Sequence, residues 1–330
     1  MPVAKFIFRL ELGKIIYSVT ACRKVKKMNS SQLLENLKKR SVVMELTRDF
    51  FRSMGFVEVE TPLRCPSIIP EAHIDPVTSQ GAYLQASPEL CMKRLLARGA
   101  DKIFQICKCF RQGERGQRHL PELTLLEWYA VHQTYEDLMV QCQGLLRHIA
   151  QGLDTPGHLV YQGTSLDLAN AFERMTVAGA FERFSDVSLN QAIDTGRFDE
   201  IISFDIEPHL GTSCPCFLYD YPISMASLSA VHPEKPDTAQ RFEMYVAGIE
   251  LANGFTELTD HELQRKRFET ENELRIRQGK TTLPLPEKFL SDLALMPPAA
   301  GIALGMDRLV MLFCDAPDIE QVVAFPPELL

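Results

Sequence analysis

The stretch from 241 to 258, RFEMYVAGIELANGFTEL, constrains the fold of this chain more than any other part of it. Strand-forming residues flank the pair Ala247-Gly248, which is typical of a two-residue turn, so the stretch is predicted to form a β-hairpin. Three facing pairs define the expected register: Val246 with Ile249, Tyr245 with Glu250, and Glu243 with Ala252.

Three glutamates stand seven residues apart in this stretch, at Glu243, Glu250 and Glu257. In the expected register Glu243 and Glu250 project from the same face of the hairpin as diagonal neighbours, about 7 Å apart. Two carboxylates at that separation can share hard cations with phosphate oxygens. Ordinary solvated acids on an exposed face would give the same spacing, so the stretch alone leaves both interpretations open.

A chain of 330 residues can bury one large core, or one core with appendages. Hydrophobic residues make up 45% of it and charged residues 24%, which is typical of a soluble globular enzyme. No apolar run approaches the ~18 residues of a membrane span, so no membrane association is expected. The net charge of −8 argues against broad non-specific binding to nucleic acid.

Nine cysteines are present, and an odd count with no signal peptide indicates free thiols in a reducing cytoplasm. Cys107 and Cys109 are separated by one residue, as are Cys214 and Cys216, whereas zinc sites more usually use pairs separated by two residues. No cysteine metal site is therefore expected.

Residues 1–27 have no small-residue cleavage site and do not read as a signal peptide. Met28 follows, and the periodic pattern begins just after it. We therefore expect residues 1–28 to be an N-terminal arm or a mis-assigned leader, and residues 29–330 to form the folded domain. Within it, residues 153–210 have a mixed pattern that predicts a small helical insertion.

Asn29 and the two serines after it can cap a helix, and apolar residues then recur every three or four positions from Leu33 to Met54. A slip near Arg40 would break this helix into two. Gly55 ends it, and residues 56–60 alternate as a strand. This unit resembles motif 1 of the class II aminoacyl-tRNA synthetases, which forms the dimer interface in that family.

A second helix is predicted to begin at Ser87-Pro88-Glu89, directly after a strand that ends at Tyr83-Leu84. Glu89 is either a capping acid or a carboxylate at the rim of a pocket.

Two further strands, 103–110 and 123–128, enclose a loop rich in arginine and glycine, which suits a polyphosphate. The loop closely resembles class II motif 2, because Phe110-Arg111 and Arg118-His119-x-Pro121-Glu122 match that motif position by position.

Three positions depart from motif 2. Gly113 stands where the family usually has an acid, with Glu114 next to it, and Leu123 stands where an aromatic residue stacks on adenine. Leu120 replaces a usual Asn, but the family reads the adenine edge there through backbone groups. The motif still implies an ATP site, at Arg111, Gln112, Gly113, Glu114, His119, Leu120 and Leu123.

Near the C-terminus, residues 301–312 predict a strand of small residues followed by a helix that begins near Met306-Asp307. They match class II motif 3, and with three motifs in order the chain is similar to a class II catalytic core: α+β, with an antiparallel sheet flanked by helices. The resemblance places Glu250, Leu251, Gly305 and Arg308 at ATP, makes Arg111 and Arg308 catalytic, and assigns Mg2+ to Glu243 and Glu250.

The likeness is closest to lysyl-tRNA synthetase, because 253–258 and 127–129 stand where that enzyme grips the lysine side chain. The resemblance therefore implies that the amino acid is bound by Ser87, Pro88, Glu89, Glu127, Tyr129, Asn253, Glu257 and Ala303. Regular alternation would put Glu257 on the opposite face from Glu250, so a bend or bulge at Asn253-Gly254 is expected to turn it back.

Two features separate the chain from a synthetase. Only about 28 residues precede motif 1, too few for an anticodon-binding barrel, so no such domain and no tRNA are expected. Ala303 stands where the synthetase has Gly, as in the elongation factor P lysine ligases. Resemblance to that family implies a homodimer, joined through motif 1, that uses ATP and Mg2+ to activate (R)-β-lysine, or lysine, and transfers it to a lysine of elongation factor P.

Five basic residues are candidates for contacting the acceptor protein, although a solvated helix face is the stronger explanation of the first three: Lys93, Arg94, Arg98, Lys108 and Arg115. Three other functions remain open. They are a stand-alone ligase of the asparagine synthetase A type, a truncated lysyl-tRNA synthetase, and a non-catalytic regulatory paralogue.

Overall fold

A computed structural model describes residues 30–330, so the predicted arm at 1–28 and the capping Asn29 lie outside the described part of the chain. The helices are α1 (Ser30–Ser53), α2 (Glu89–Leu96), α3 (Tyr135–Gly152), α4 (Val177–Phe184), α5 (Leu189–Asp194), α6 (Phe198–Ile201), α7 (His261–Arg277), α8 (Glu287–Leu293) and α9 (Met306–Phe313).

The strands are β1 (Val57–Glu58), β2 (Arg64–Cys65), β3 (Thr78–Ser79), β4 (Ala82–Leu84), β5 (Lys102–Phe110), β6 (Glu122–Val131), β7 (His158–Tyr161), β8 (Thr164–Asp167), β9 (Glu173–Thr176), β10 (Cys216–Pro222), β11 (Val231–His232), β12 (Lys235–Val246), β13 (Ile249–Thr256) and β14 (Ala299–Gly305).

The main sheet has the strand order β1-β5-β6-β14-β13-β12-β10-β9, with β11 paired to β12. Its centre is antiparallel, and only the outer pairs β1–β5 and β9–β10 are parallel. Separate small sheets are formed by β2-β4-β3 and by β7-β8. The predicted α+β fold, an antiparallel sheet flanked by helices, is confirmed.

One face of the sheet packs against α1, α3 and α9, because alternate residues of the central strands point to that side. Leu126 and Trp128 of β6 and Ile302 and Leu304 of β14 are buried there in the largest core cluster. The opposite face is covered only in part, by α2, α7 and α8, which form a second core with Tyr129 and Ala299. The uncovered floor between these helices holds the candidate site.

Local signals place several elements as predicted. Helix α3 has the bounds that the apolar face of Leu138, Cys142, Leu145, Leu146 and Ile149 predicts from the sequence, and it begins with a capping box between Thr134 and Asp137. Ala247 and Gly248 have φ of +53° and +67°, as a two-residue hairpin turn requires. Gly55, at φ +78°, follows the end of α1.

Three expectations about the fold are corrected. Helix α1 continues through Arg40 without a break, because Arg40 makes an ion pair with Asp307 across the core side of the helix. The strand expected at 56–60 is only Val57–Glu58. The 153–210 segment is not purely helical, since β7, β8 and β9 precede its helices and β9 extends the main sheet along β10.

Within residues 30–330, no helix is long and apolar enough to cross a membrane.

Candidate active site

The floor of the site is β14, which lies between β6 and β13 in the sheet. Its alternate residues Gly301, Ala303 and Gly305 point to the uncovered face, and their small size leaves a shallow trough. The neighbouring strands carry the larger polar groups: Ala303 pairs with Glu127 of β6 and with Asn253 of β13. The predicted substrate residues of three separate segments therefore meet in one row across the sheet.

Gly301 is required by the close approach of two side chains. A Cβ atom at this position would lie 2.1 Å from Cε1 of Tyr129 and 2.3 Å from Oε1 of Glu257, well inside van der Waals contact. Gly301 belongs to the predicted motif 3, but its close contacts with Tyr129 and Glu257 were not predicted, because these residues come from distant segments.

The hairpin contains the bulge that Glu257 was expected to need, but at a different residue. The pairs Val246–Ile249 and Tyr245–Glu250 are as predicted, whereas Glu243 pairs with Asn253 and not with Ala252. The register shifts because Leu251 is an extra residue opposite β12. The bulge was expected at Asn253-Gly254, and that position is wrong. Since side chains alternate from the bulge onward, Glu257 returns to the same face as Glu250.

Glu127 and Tyr129 form one wall of a buried acidic pocket. Glu127 is 1% exposed and accepts hydrogen bonds from the Ser87 hydroxyl (2.6 Å) and the Tyr129 hydroxyl (2.8 Å). Ser87 also accepts a hydrogen bond from the Glu89 backbone N–H at 3.0 Å, so the start of α2 is fixed against β6. Pro88, predicted as the first residue of α2, is the cap residue before it.

Lys93 lies inside this pocket, which corrects its assignment as a candidate acceptor contact or solvated residue. Its side chain is 1% exposed, and its ammonium makes ion pairs with Glu89 (2.5 Å) and with Glu257. The ammonium also lies over the ring of Phe255, 5.1 Å from the ring centroid. A cation is tolerated at such depth because two carboxylates neutralise it.

Burial controls the charge of the pocket acids. Desolvation raises the pKa of Glu127 to about 8, with a further contribution from the charge of Glu89. Desolvation also raises the pKa of Glu257 to about 8, and the Lys93 ammonium opposes that rise. Glu257 Oε1 has no hydrogen-bond partner within residues 30–330. A buried acceptor without a donor at the pocket floor is suited to an arriving ammonium group.

Motifs 2 and 3 meet the hairpin at the other end of the trough. Arg308 donates to the backbone oxygen of Glu250 (2.5 Å) and lies 3.2 Å from Oε2 of that residue. The Nη2 atom of Arg308 lies 2.6 Å from Nε2 of His119. Desolvation and the Arg308 charge lower the pKa of His119, so the imidazole is neutral and accepts this hydrogen bond. The three predicted ATP-site segments are therefore in direct contact.

The departure at Gly113 is explained by the backbone. Gly113 has φ +78°, which L residues rarely adopt, and the turn that it makes brings Glu114 to 3.6 Å from Arg111. The loop thus keeps an acid beside Arg111, one position later than in the family motif. Arg111 Nε is buried and lacks a hydrogen-bond partner among the described residues, which leaves a donor for an anion such as phosphate. The backbone N–H of Gln112 donates a hydrogen bond to the backbone oxygen of Asp75.

Glu243 and Glu250 lie on one side of the hairpin. Tyr245 pairs with Glu250, and its hydroxyl donates to Glu243 at 2.6 Å. Arg241 also donates to Glu243, at 2.8 Å. Glu207, which was not predicted as a site residue, lies close to this pair. Burial and the charge of Glu250 raise the pKa of Glu207 to about 7.

In the part of the chain that the structure describes, no three His, Cys, Asp or Glu side chains could hold a metal ion by themselves. A cation held by Glu243 and Glu250 would take its remaining ligands from water and phosphate.

Asp307, the acid of motif 3, has a supporting position that the sequence did not reveal. It is 3% exposed, makes an ion pair with Arg40 of α1 at 2.7 Å, and accepts from the Thr124 backbone N–H at 2.7 Å. These contacts join motifs 1, 2 and 3 immediately before Arg308, so they fix the start of the helix that presents Arg308.

One cavity of about 1380 Å³ extends along the trough, from the acidic pocket to Arg308. Most predicted site residues line it: Ser87, Glu89, Arg111, Glu114, His119, Leu120, Leu123, Glu127, Tyr129, Glu250, Leu251, Asn253, Ala303, Gly305 and Arg308. Five do not: Pro88, Gln112, Gly113, Glu243 and Glu257. Another wall of this cavity is formed by residues within 65–74 and 284–289, and these segments were not predicted from the sequence to belong to the site.

The remaining candidate acceptor contacts lie outside the amino-acid pocket, and all of them are ion-paired. Arg94 and Arg98 pair with Asp292, and Arg115 pairs with Glu320 and Glu328 near the C-terminus. Lys108 lies 3.3 Å from Glu122 and is about half exposed.

Comparison with known proteins agrees with this geometry. The model of the class II tRNA synthetases (D, K and N) matches residues 19–328. A Salmonella gallinarum protein named elongation factor P–(R)-β-lysine ligase is 38% identical over 315 residues, which cover 89% of this chain and 96% of the relative. A protein of the same name from Edwardsiella ictaluri is 38% identical over 308 residues, covering 88% and 94%. The chain therefore belongs to the class II tRNA synthetase family (D, K and N), as its three motifs predicted.

Proposed function

We propose that this protein is an ATP-dependent ligase that activates (R)-β-lysine, or lysine, and transfers it to the ε-amino group of a lysine on elongation factor P. The observation that carries the proposal is the buried acceptor Glu257 Oε1, at the closed end of a trough whose other end presents Arg111, His119 and Arg308. The names of the two relatives support elongation factor P as the acceptor.

In the first step, the carboxylate of the amino acid attacks the α-phosphorus of ATP and pyrophosphate leaves. No protein nucleophile is needed, because positioning and charge neutralisation lower the barrier. Arg111 holds the α-phosphate through the donor that is free in this structure, and His119 and Arg308 hold the β and γ end. Gly305 and Leu251 leave room beside them, and Leu120 and Leu123 form the apolar contact for the adenine.

Glu243 and Glu250 would hold Mg2+, which would neutralise phosphate charge when bound. At the other end, Glu127, Tyr129 and Glu257 receive the terminal ammonium, and Glu89 receives the second amino group. Asn253 and Ala303 line the trough between them. In the second step, the neutral acceptor amine attacks the acyl carbon, the bond to the phosphate oxygen breaks, and AMP leaves.

The protein is expected to act as a cytoplasmic homodimer. The free cysteines in residues 30–330 are compatible with a reducing compartment. Four apolar side chains near motif 1 are exposed and are suited to a subunit interface: Leu34, Val42, Val57 and Leu63. Sedimentation of the wild type and of Val57→Glu tests this part, and a wild-type monomer would refute it.

Incubation with ATP, Mg2+, (R)-β-lysine and elongation factor P tests the reaction, with mass spectrometry of the factor as the readout. The expected result is the mass gain of one lysyl group, lost in Arg111→Ala together with ATP–pyrophosphate exchange. Labelled tRNA added in place of the factor tests the rival synthetase activity. Absence of exchange with either amino acid would point to the non-catalytic paralogue, and near-normal exchange in Arg111→Ala would refute the role of Arg111.

A further inference from the structure

The pocket that receives the amino acid already contains a cation, and this is unusual for a site built from acids. Lys93 enters from α2, and its ammonium reaches Glu89 on its own helix and Glu257 beyond the end of β13. Its side chain is 1% exposed, so no water competes for these contacts. The proposed mechanism gives Lys93 no step.

The formal charges of the pocket explain what Lys93 does. Three carboxyl groups, Glu89, Glu127 and Glu257, surround this end of the trough. Burial lets Glu127 and Glu257 keep their protons while the pocket is empty, and once all three are ionised the one Lys93 ammonium leaves a net formal charge of −2. A diamino acid brings two ammonium groups and matches that charge, whereas an amino acid with only one ammonium group leaves one carboxylate uncompensated. An uncompensated charge at this depth is costly, because burial penalises it.

We propose that Lys93 is a specificity-determining residue. Its fixed positive charge allows Glu257 to lose its proton at neutral pH when a substrate ammonium binds. The pocket thereby selects a substrate with two ammonium groups. This inference rests on the proposed amino-acid activation. It does not depend on which protein or nucleic acid accepts the activated group.

The surroundings of Glu257 favour this role. The groups that face it are Lys93 and Glu89 of α2 and Glu127 and Tyr129 of β6, and Lys93 is the only cation among them. Burial and the neighbouring acids raise the pKa of Glu257, and the Lys93 ammonium alone opposes that rise. Without Lys93 the carboxyl would hold its proton to higher pH, and an arriving ammonium would first have to displace it.

Lys93→Met tests the proposal, because methionine keeps an unbranched apolar side chain and removes the ammonium. Removing an adjacent opposite charge shifts a carboxyl pKa by about one to three units. We expect the acidic limb of ATP–pyrophosphate exchange to move at least about one unit upward. KM for (R)-β-lysine should then rise about tenfold or more at pH 7, with a smaller change in kcat.

The analogue 3-aminohexanoate, which is β-lysine without the terminal 6-amino group that Glu257 receives, measures the selectivity. The ratio of kcat/KM for β-lysine to that for the analogue should fall in Lys93→Met at pH 7 and recover at higher pH. Lys102→Met is the matched control, since Lys102 also lies over a phenylalanine ring, at 5.8 Å from Phe56, but touches no pocket acid. Its pH profile should be that of the wild type.

Lys93→Arg distinguishes a charge effect from a packing effect, because it keeps the cation and changes the shape. The proposal requires its pH profile to stay with the wild type even if KM rises, and this variant decides the question if Lys93→Met does not fold. A wild-type profile and selectivity in Lys93→Met would overturn the inference, as would an equal alkaline shift in Lys93→Arg. Wild-type protein that gives no exchange with any amino acid would instead refute the proposed function.

Discussion

Replacing Gly301 by alanine should damage the amino-acid pocket more than any other single methyl group added to its floor. The new Cβ would lie 2.1 Å and 2.2 Å from two ring carbons of Tyr129 and 2.3 Å from Oε1 of Glu257, whereas ordinary contacts begin at 3.4 Å. Neither neighbour can move away easily, because Tyr129 is held by Glu127 and Glu257 by Lys93. Overpacking of a rigid site costs about 1–3 kcal/mol.

That free energy must appear either in stability or in binding. If the pocket keeps its geometry, the free energy of unfolding falls by about 1–3 kcal/mol. If Tyr129 and Glu257 move by about 1 Å, kcat/KM for β-lysine falls roughly 5- to 150-fold, which is the same free energy expressed in affinity. Thermal unfolding and ATP–pyrophosphate exchange, measured on one preparation, separate the two cases.

Gly305→Ala is the control for stability. Gly305 stands on the same face of β14, has φ −73°, and an added Cβ would lie 3.6 Å from Cδ of Arg308, an ordinary contact. The melting temperature of Gly305→Ala should stay close to that of the wild type, as it does for most surface substitutions. If Gly301→Ala unfolds at the wild-type temperature and also binds β-lysine with wild-type KM, the close approach that we describe does not exist in solution.

Three further predictions follow from the site. Ala303→Gly should shift the preference in exchange assays from β-lysine toward lysine, because it removes the methyl group beside Asn253; an unchanged preference would count against this pocket. The free energy of unfolding without substrate should fall as pH rises from about 5 to 8, since the pKa of Glu127 is about 8 in the folded protein and near 4.5 otherwise, and the fall should be smaller in Glu127→Gln. Cys91, whose pKa a hydrogen bond from Cys65 lowers to about 7, should be the first thiol alkylated near neutral pH, and bound ATP and lysine should slow that reaction because Cys91 lines the cavity. Equal alkylation with and without ligands would argue against that placement.

The sequence predicted those parts of the fold whose signals are local. Helix α3 carries its own capping box and an uninterrupted apolar face, so both of its ends were predictable. The turn at Ala247-Gly248 and the strand-to-helix junction at Met306 depend on a few adjacent residues. The site segments were recognisable for the same reason, since each motif is a short run with its own spacing.

The features that the sequence did not predict depend on contacts between distant segments. Lys93 stands four residues after Glu89, a spacing that also fits a solvated helix face, and only the approach of Glu257 shows that it is buried. Asp307 was part of a recognised motif, but its partners Arg40 and Thr124 come from two other segments. The three short strands before α4 are only four residues each, too short for a periodic pattern to be recognised.

The bulge at Leu251 is what allows one hairpin to serve both ends of the trough. Without the extra residue, strict alternation would direct Glu250 and Glu257 to opposite faces, one toward the trough and the other toward the helices behind the sheet. The shift changes the partner of Glu243 from Ala252 to Asn253 and returns Glu257 to the face that carries Glu250. The equal seven-residue steps between the glutamates therefore do not reflect a repeated role, because Glu243 and Glu250 stand beside Arg308 and Tyr245, whereas Glu257 is enclosed with Lys93.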